Sequence, residues 1–219
     1  MSYLLYGIVR QDSGACPPGT CFIPAHGLAA AVSAVEETPS RPSVSSLLAY
    51  ERVVEAIHAR QAVIPLRYGC VMESESAVIR FLEDHCQEYQ ALLSRLLGMT
   101  EMGIRVLWPA RPGVLPSVPS SPGAAYLMSL RNRYNSANAL APEEAQLADR
   151  IVGLLSGCST EQRREVSSSS QGRLVSLYFL TPKTYADQFR QKSRQIYPPS
   201  GAKLLLSGPW PPYNFVASG

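Results

Sequence analysis

The sequence predicts an α+β fold in two domains, and three observations carry that reading. Strand-like and helix-like stretches alternate along 219 residues, more than the ~100–200 usual for one domain. Pro109 to Pro122 holds five prolines in fourteen residues, a density that neither helix nor strand interiors tolerate. Charge also divides there. Residues 1–110 carry 8 basic and 11 acidic side chains, residues 111–219 carry 12 and 6, so the halves differ in character. The expected domains are 1–110, an N-terminal α+β domain, and 111–219, a C-terminal domain with a helical extension and a Pro/aromatic tail.

Tyr3 to Val9 is apolar, aromatic and β-branched, which predicts a buried strand. Gln11 to Gly27 holds three Gly, three Pro and two Cys and reads as a loop. Leu28 to Val35 is a second strand, and Glu37 to Val44 another loop. Leu47, Tyr50, Val54 and Ile57 recur at helical spacing, predicting a helix over Ser45–Arg60. Val63–Leu66 is a short strand. Glu75–Leu97 shows the strongest helical stripe, from Val78 through Leu82, Cys86, Tyr89 and Leu93 to Leu96. Ser74 is its N-cap and Gly98 its stop. Gly103–Trp108 is a strand.

Beyond the proline segment, Ala124–Ala139 reads as helix. Pro142 sits at a first helical position with Glu143 and Glu144 behind it, suited to the positive end of a helix. Leu147, Ile151, Leu154 and Leu155 give its buried face, and Gly157 ends it. Arg163–Ser168 is a polar edge strand, and Ser169–Gly172 a turn. Leu174–Leu180 is apolar throughout and therefore central. Thr181 and Pro182 open a helix running to about Ile196, and Lys203–Leu206 is the last strand. From residue 103 this is the βαββαβ order of a ferredoxin-like plait with extra helices. The N-terminal order predicts a modified, two-layer ferredoxin-like plait. Strand 103–108 can complete either half, not both.

Hydrophobic residues make up 46% of the chain, so a sizeable core can form. Charged residues are 17%, below the ~25% of average soluble chains, which suggests a surface partly covered by a partner. The net charge of +3 implies neither nucleic acid nor membrane by itself. No stretch reaches the ~18 apolar residues of a membrane span. Met1–Val9 lacks a basic leader, so a signal peptide is rejected and a reducing cytosolic setting expected. The five cysteines include no pair at zinc or redox spacing.

No phosphate-binding glycine-lysine loop, dinucleotide fingerprint or nucleophile elbow is present. His26, His58 and His85 read as structural or surface histidines. Cys70, after Gly69, stands where a nucleophile could, but no histidine has a telling spacing, and a small buried residue is the better reading. The basic C-terminal half, with Tyr178 and Phe179 on a central strand, lacks the glycine-aromatic pattern of an RNA-recognition motif. No catalytic, cofactor or metal residues are assigned.

Two segments remain. Pro65-Leu66-Arg67-Tyr68-Gly69 places a proline in a strand before a tight turn. It fits an edge strand, or an Arg67 that reaches a carboxylate across a domain interface. Ser207–Val216 packs three prolines and three aromatics into ten residues. It fits a rigid tail stapled across a domain boundary, favoured because large aromatics need burial, or a polyproline-type ligand. Arg67, Tyr68, Gly69, Trp210, Pro211, Pro212, Tyr213 and Phe215 are the candidate interdomain or partner interface.

Tyr3–Val9, Tyr50–Val71 with its Pro-Leu-Arg-aromatic-Gly turn, Gly123–Leu127 and the Gly208–Val216 tail together resemble the gas vesicle GvpF/GvpL family. The turn and the tail are specific as a pair. The resemblance implies a non-enzymatic minor structural or assembly protein of the gas vesicle, a protein-walled buoyancy organelle within the prokaryotic cytoplasm. It implies the hydrophobic shell protein GvpA and other accessory gas vesicle proteins as partners, and no cofactor. Cys70 stands where that family more often has Thr or Ser, which also speaks against a catalytic thiol. A different class of reading is a regulatory plait holding a small molecule in an interdomain cleft clamped by Arg67.

Overall fold

β1 (Ser2–Arg10) is the centre of the first sheet, and its run from Leu4 to Val9 is buried throughout. A computed structural model describes residues 1–12, 14–36, 42–109, 140–169 and 172–216. Within them the architecture is mixed α+β, with two sheets. The chain forms two compact units, Met1–Glu101 with Pro209–Gly219, and Met102–Gly208. The division expected at 110/111 therefore falls at 101/102. The tail, expected with the C-terminal domain, is grouped with the first unit. The polar contacts described below give the reason.

In the first unit the sheet order is β2 (Cys21–Ala25), β3 (Leu28–Val35), β1 and β4 (Ile64–Pro65), with β5 (Val71–Met72) also on β1. All the pairings are antiparallel. β2 lies inside the segment expected to be a loop. His26 and Gly27 explain the correction: both have positive φ, 52° and 78°, the geometry of a two-residue hairpin turn. Pro24 is tolerated because β2 is an edge strand.

α1 (Val44–Arg60) is capped by Ser43, whose hydroxyl accepts from the Ser46 amide. Its Tyr50, Val54 and Ile57 pack with Leu4, Tyr6, Val9, Ala29, Ala31 and Val63. The alternate strand residues Leu5, Ile8, Ala30 and Val32 are buried as well. They face the side that α2 (Glu75–Asp84) and α3 (Cys86–Arg95) approach. The first unit therefore has helices on both faces of its sheet, not the expected two layers. The apolar runs of β1 and β3 are those of strands buried on both sides.

The helix expected over Glu75–Leu97 is broken at His85, with φ −112° and ψ 11°. The His85 amide donates to Glu83, and its ring Nδ1 donates instead to the Phe81 carbonyl at 2.9 Å. A side chain thus replaces the backbone rung, which interrupts the ladder. Ser74 caps the first piece, and Gly98 turns the chain with φ +72°.

In the second sheet the order is β7 (Glu161–Ser169), β8 (Gly172–Pro182), β6 (Met99–Pro109) and β9 (Lys203–Trp210). Strand 103–108 thus belongs to this sheet. β7 and β8 form an antiparallel hairpin, from Glu161 opposite Leu180 to Ser169 opposite Gly172. α4 (Pro142–Leu155) and α5 (Ala186–Ser193) close the core through Leu147, Ile151, Leu155 and Phe189, against Ile104, Val106, Leu177 and Phe179. Pro142 opens α4 as expected, and the Glu144 carboxylate accepts from the Ala141 amide at 2.8 Å. Thr181 and Pro182 do not open a helix. They continue β8, a 3-10 turn follows over Lys183–Tyr185, and α5 begins at Ala186. Residues 110–122, the helix expected over 124–139 and most of the 37–44 loop lie outside the described residues.

Candidate functional site

The Arg67–Gly69 turn arises from an interruption in the sheet edge. Gly7 and Ile8 of β1 pair with Pro65 and Ile64, and Tyr3 and Leu4 pair with Met72 and Val71. Between these two short ladders the edge chain loops outward. The Leu66 amide still donates to Tyr6, and the Leu5 amide to Cys70. Tyr50, from α1, fills the gap: its hydroxyl lies 2.8 Å from both the Leu5 and Leu66 carbonyl oxygens and can donate to either. Its ring stacks on Tyr6 at 4.8 Å and meets Tyr68 edge-on at 5.3 Å. Burial pushes the Tyr50 hydroxyl pKa far up, so it remains a donor.

Two glycines make this geometry possible. A Cβ on Gly7 would stand 2.7 Å from Val63 Cγ2 and 2.8 Å from the Ile64 carbonyl oxygen, so only glycine lets β1 and β4 approach. Gly69, at φ +93°, supplies the left-handed turn. The turn leaves Arg67 exposed and Tyr68 half-buried. No ion pair of Arg67 is present among the described residues. Cys70 is half-buried, and burial raises its thiol pKa. It therefore stays protonated at neutral pH, the opposite of what a nucleophile needs.

The tail from Trp210 is tied down residue by residue. The Thr100 hydroxyl donates to the Trp210 carbonyl at 2.9 Å. The Asn214 amide and side chain both donate to the Glu101 carboxylate, at 2.9 and 2.7 Å. Arg95 donates to the Phe215 carbonyl at 2.6 Å. Phe215 is fully buried, Pro211 and Pro212 are buried, and Tyr213 packs on the α1 cluster. Burial first, then the Glu51, Glu55 and Glu101 carboxylates, push the Tyr213 pKa up to about 12. Trp210 alone among the tail aromatics stays 43% exposed.

These tail contacts all lie within the first unit. Sequence reasoning found the two segments but missed Tyr50 as the bridge, and Glu101, Arg95 and Thr100 as the anchors. Glu101 is 5% exposed, and a carboxylate at the start of an apolar strand was the one available signal. His58 is a buried helix residue 3.3 Å from the Thr100 hydroxyl, as its structural reading expected. His26 is half-exposed and 3.8 Å from Glu83. No group of three or more His, Cys, Asp or Glu among the described residues could hold a metal ion. No helix among them is long and apolar enough to cross a membrane.

This two-sheet α+β architecture is that of solved gas vesicle proteins. GvpF from Microcystis aeruginosa superposes with a TM-score of 0.73 at 17% identity, over 99% of either chain. GvpF from Anabaena sp. does so with 0.72 at 18%, over 100% of this chain and 97% of that one. At such identities the likeness shows the fold alone. The sequence goes further. Residues 2–217 match the family model described as gas vesicle synthesis protein GvpL/GvpF, and the chain belongs to that family. Gas vesicle protein L of a Streptomyces species is 26% identical over 97% of this chain and 91% of its own length. Gas vesicle protein F of the same strain is 26% identical over 99% and 100%.

Proposed function

We propose that this chain is a non-enzymatic minor structural or assembly protein of the gas vesicle. It binds the hydrophobic shell protein GvpA and other accessory gas vesicle proteins in the prokaryotic cytoplasm. The match to the family model over residues 2–217 carries this reading. The strand order β7-β8-β6-β9 supports a ferredoxin-like second domain.

Within this reading Arg67, Tyr68 and Trp210 are the contact residues, and Gly69 shapes their turn. Pro211, Pro212, Tyr213 and Phe215 hold Trp210 in place. Exposure of Arg67 and Trp210 on tightly fixed backbones supports the assignment, because Arg and Trp are the commonest binding anchors and rigid presentation lowers the entropy cost.

Tagged protein is pulled down from cells that express the whole vesicle gene cluster, and washed vesicles are probed for the same protein. Recovery of GvpA, weakened by Arg67→Ala with Trp210→Ala, is the expected result. Retention on washed vesicles would make it a wall component, and absence from them an assembly factor. The reading fails if GvpA is not recovered and deletion leaves vesicle number, shape and collapse pressure unchanged.

A further inference from the structure

The second unit is strongly cationic. Residues 102–208 hold 13 basic and 6 acidic side chains. The acids of its two helices are engaged by neighbours. Asp149 accepts from Arg164 at 2.7 Å and Asp187 from Arg190 at 3.0 Å, and buried Glu144 forms an ion pair with Arg173 at 3.0 Å. Arg150, Lys192 and Arg194 have no such compensation: none makes an ion pair or side-chain hydrogen bond among the described residues.

Arg150 lines a hollow between α4 and the chain following α5, and Lys192 and Arg194 stand in the chain just before its other lining segment. It is lined by Arg150, Ile151, Leu154, Gln195, Ile196 and Tyr197, with a volume of about 120 Å³. Ile151 forms its buried floor, Leu154 and Ile196 are half-buried, and Tyr197 is 80% exposed. Arg150 is exposed on α4, one helical turn before Leu154. Lys192 Nζ reaches over Gly157, just beyond the end of α4. Arg194, also exposed, directly precedes the lining residues. An exposed tyrosine over aliphatic side chains, with the unpaired Arg150 in the same lining and two more unpaired cations close by in the chain, is the make-up of a protein-binding groove.

We propose that this groove binds an acidic amphipathic helix of a partner protein. The hollow has room for one aliphatic or aromatic side chain, and helix-in-groove recognition inserts such anchors at i, i+3 and i+4 spacing. Glu or Asp on the flanks of that helix would meet Arg150, Lys192 and Arg194. Charge complementarity selects the acidic partner and speeds its encounter. A nucleic acid fits less well, since one tyrosine gives no platform for successive bases. The proposal concerns the second unit and stands whether or not the first unit binds GvpA.

The test is selection of a displayed random 16-residue peptide library on the immobilised full-length chain. The readout is the selected sequences. The expected result is enrichment of Asp and Glu around apolar residues at helical spacing. A labelled consensus peptide should then bind at least about tenfold more weakly to Arg150→Glu and to Tyr197→Ala, as expected for anchor residues. Both variants change exposed side chains and should keep the parent melting temperature. Added salt should weaken binding. No enrichment, enrichment without an acidic excess, or undiminished binding to both folded variants overturns the proposal. So does binding of an RNA homopolymer or phosphatidylglycerol vesicles that these variants weaken while no peptide is selected.

Discussion

The two sheets bury their strands in different ways, and the contrast shows what secures each unit. In the first, β1 and β3 are apolar on both faces and carry helices on both. Its weak point is the interrupted edge at β4 and β5, closed by the Tyr50 hydroxyl, with the tail fastened close by. In the second, β8 is central and apolar, while the edge strand β7 is polar and bears Arg163, Arg164 and Glu165. Its hairpin is fixed to α4 by charge, Arg173 to Glu144. One unit is locked by aromatic burial around a buried carboxylate, the other by an ion pair at a helix N-terminus. A tail full of aromatics can bury large apolar area. The edge strand β7, polar along most of its length, has little to bury, and its hairpin uses charge as well.

The largest expected effect tests the aromatic lock. Phe215→Ala should destabilise the protein by about 3–5 kcal/mol, the usual cost of emptying a fully buried phenylalanine site, read by denaturant unfolding. A loss below about 1 kcal/mol would mean that the tail is not part of the first unit's core. Gly7→Ala should cost about 1–3 kcal/mol by forcing β4 away from β1. Glu144→Ala should cost about 1–3 kcal/mol, since it strips Arg173 of its carboxylate and the Ala141 amide of its acceptor. It brings the charge lock of the second unit into direct comparison. Ser74→Ala should cost about 1 kcal/mol, the value of one helix cap.

The smallest effect at neutral pH is nil and grows only in alkali. Tyr213 and Tyr89 are both pushed up to about 12 in the folded chain, chiefly by burial, against about 10 when unfolded. A raised folded pKa means that the unfolded state loses its protons first. Stability should therefore be level below pH 10 and fall between pH 10 and 12. Tyr213→Phe should flatten part of that fall in pH-dependent unfolding curves. An unchanged slope would place Tyr213 in water.

Most elements were legible because local pattern and burial agree. Ser74 by its capping hydroxyl, and Gly98 and Pro142 by their backbone chemistry, marked helix ends, and the apolar run 174–180 marked a central strand. Three readings failed where a side chain or turn overrode the pattern. His85 breaks a continuous apolar stripe by bonding Phe81. The His26–Gly27 turn creates a strand inside a proline-rich segment. Pro182 extends a strand where a helix start was expected. Of the candidate site, the sequence showed Arg67–Gly69 and the tail as unusual, yet not what they touch. Glu101 and Asn214 lie 113 residues apart, and no periodicity links them.

The sequence by itself determined the two-unit α+β character, the edge position of Pro65, the left-handed glycine after Tyr68 and the family. Each depends on backbone limits or on residues close together along the chain. Only the tertiary structure decided that strand 103–108 joins the second sheet and that the tail closes the first unit. It also decided that Tyr50 bridges the broken edge. These are contacts between distant segments. They form where burying the Phe215 ring and pairing the Glu101 carboxylate offset the entropy of ordering the chain between them.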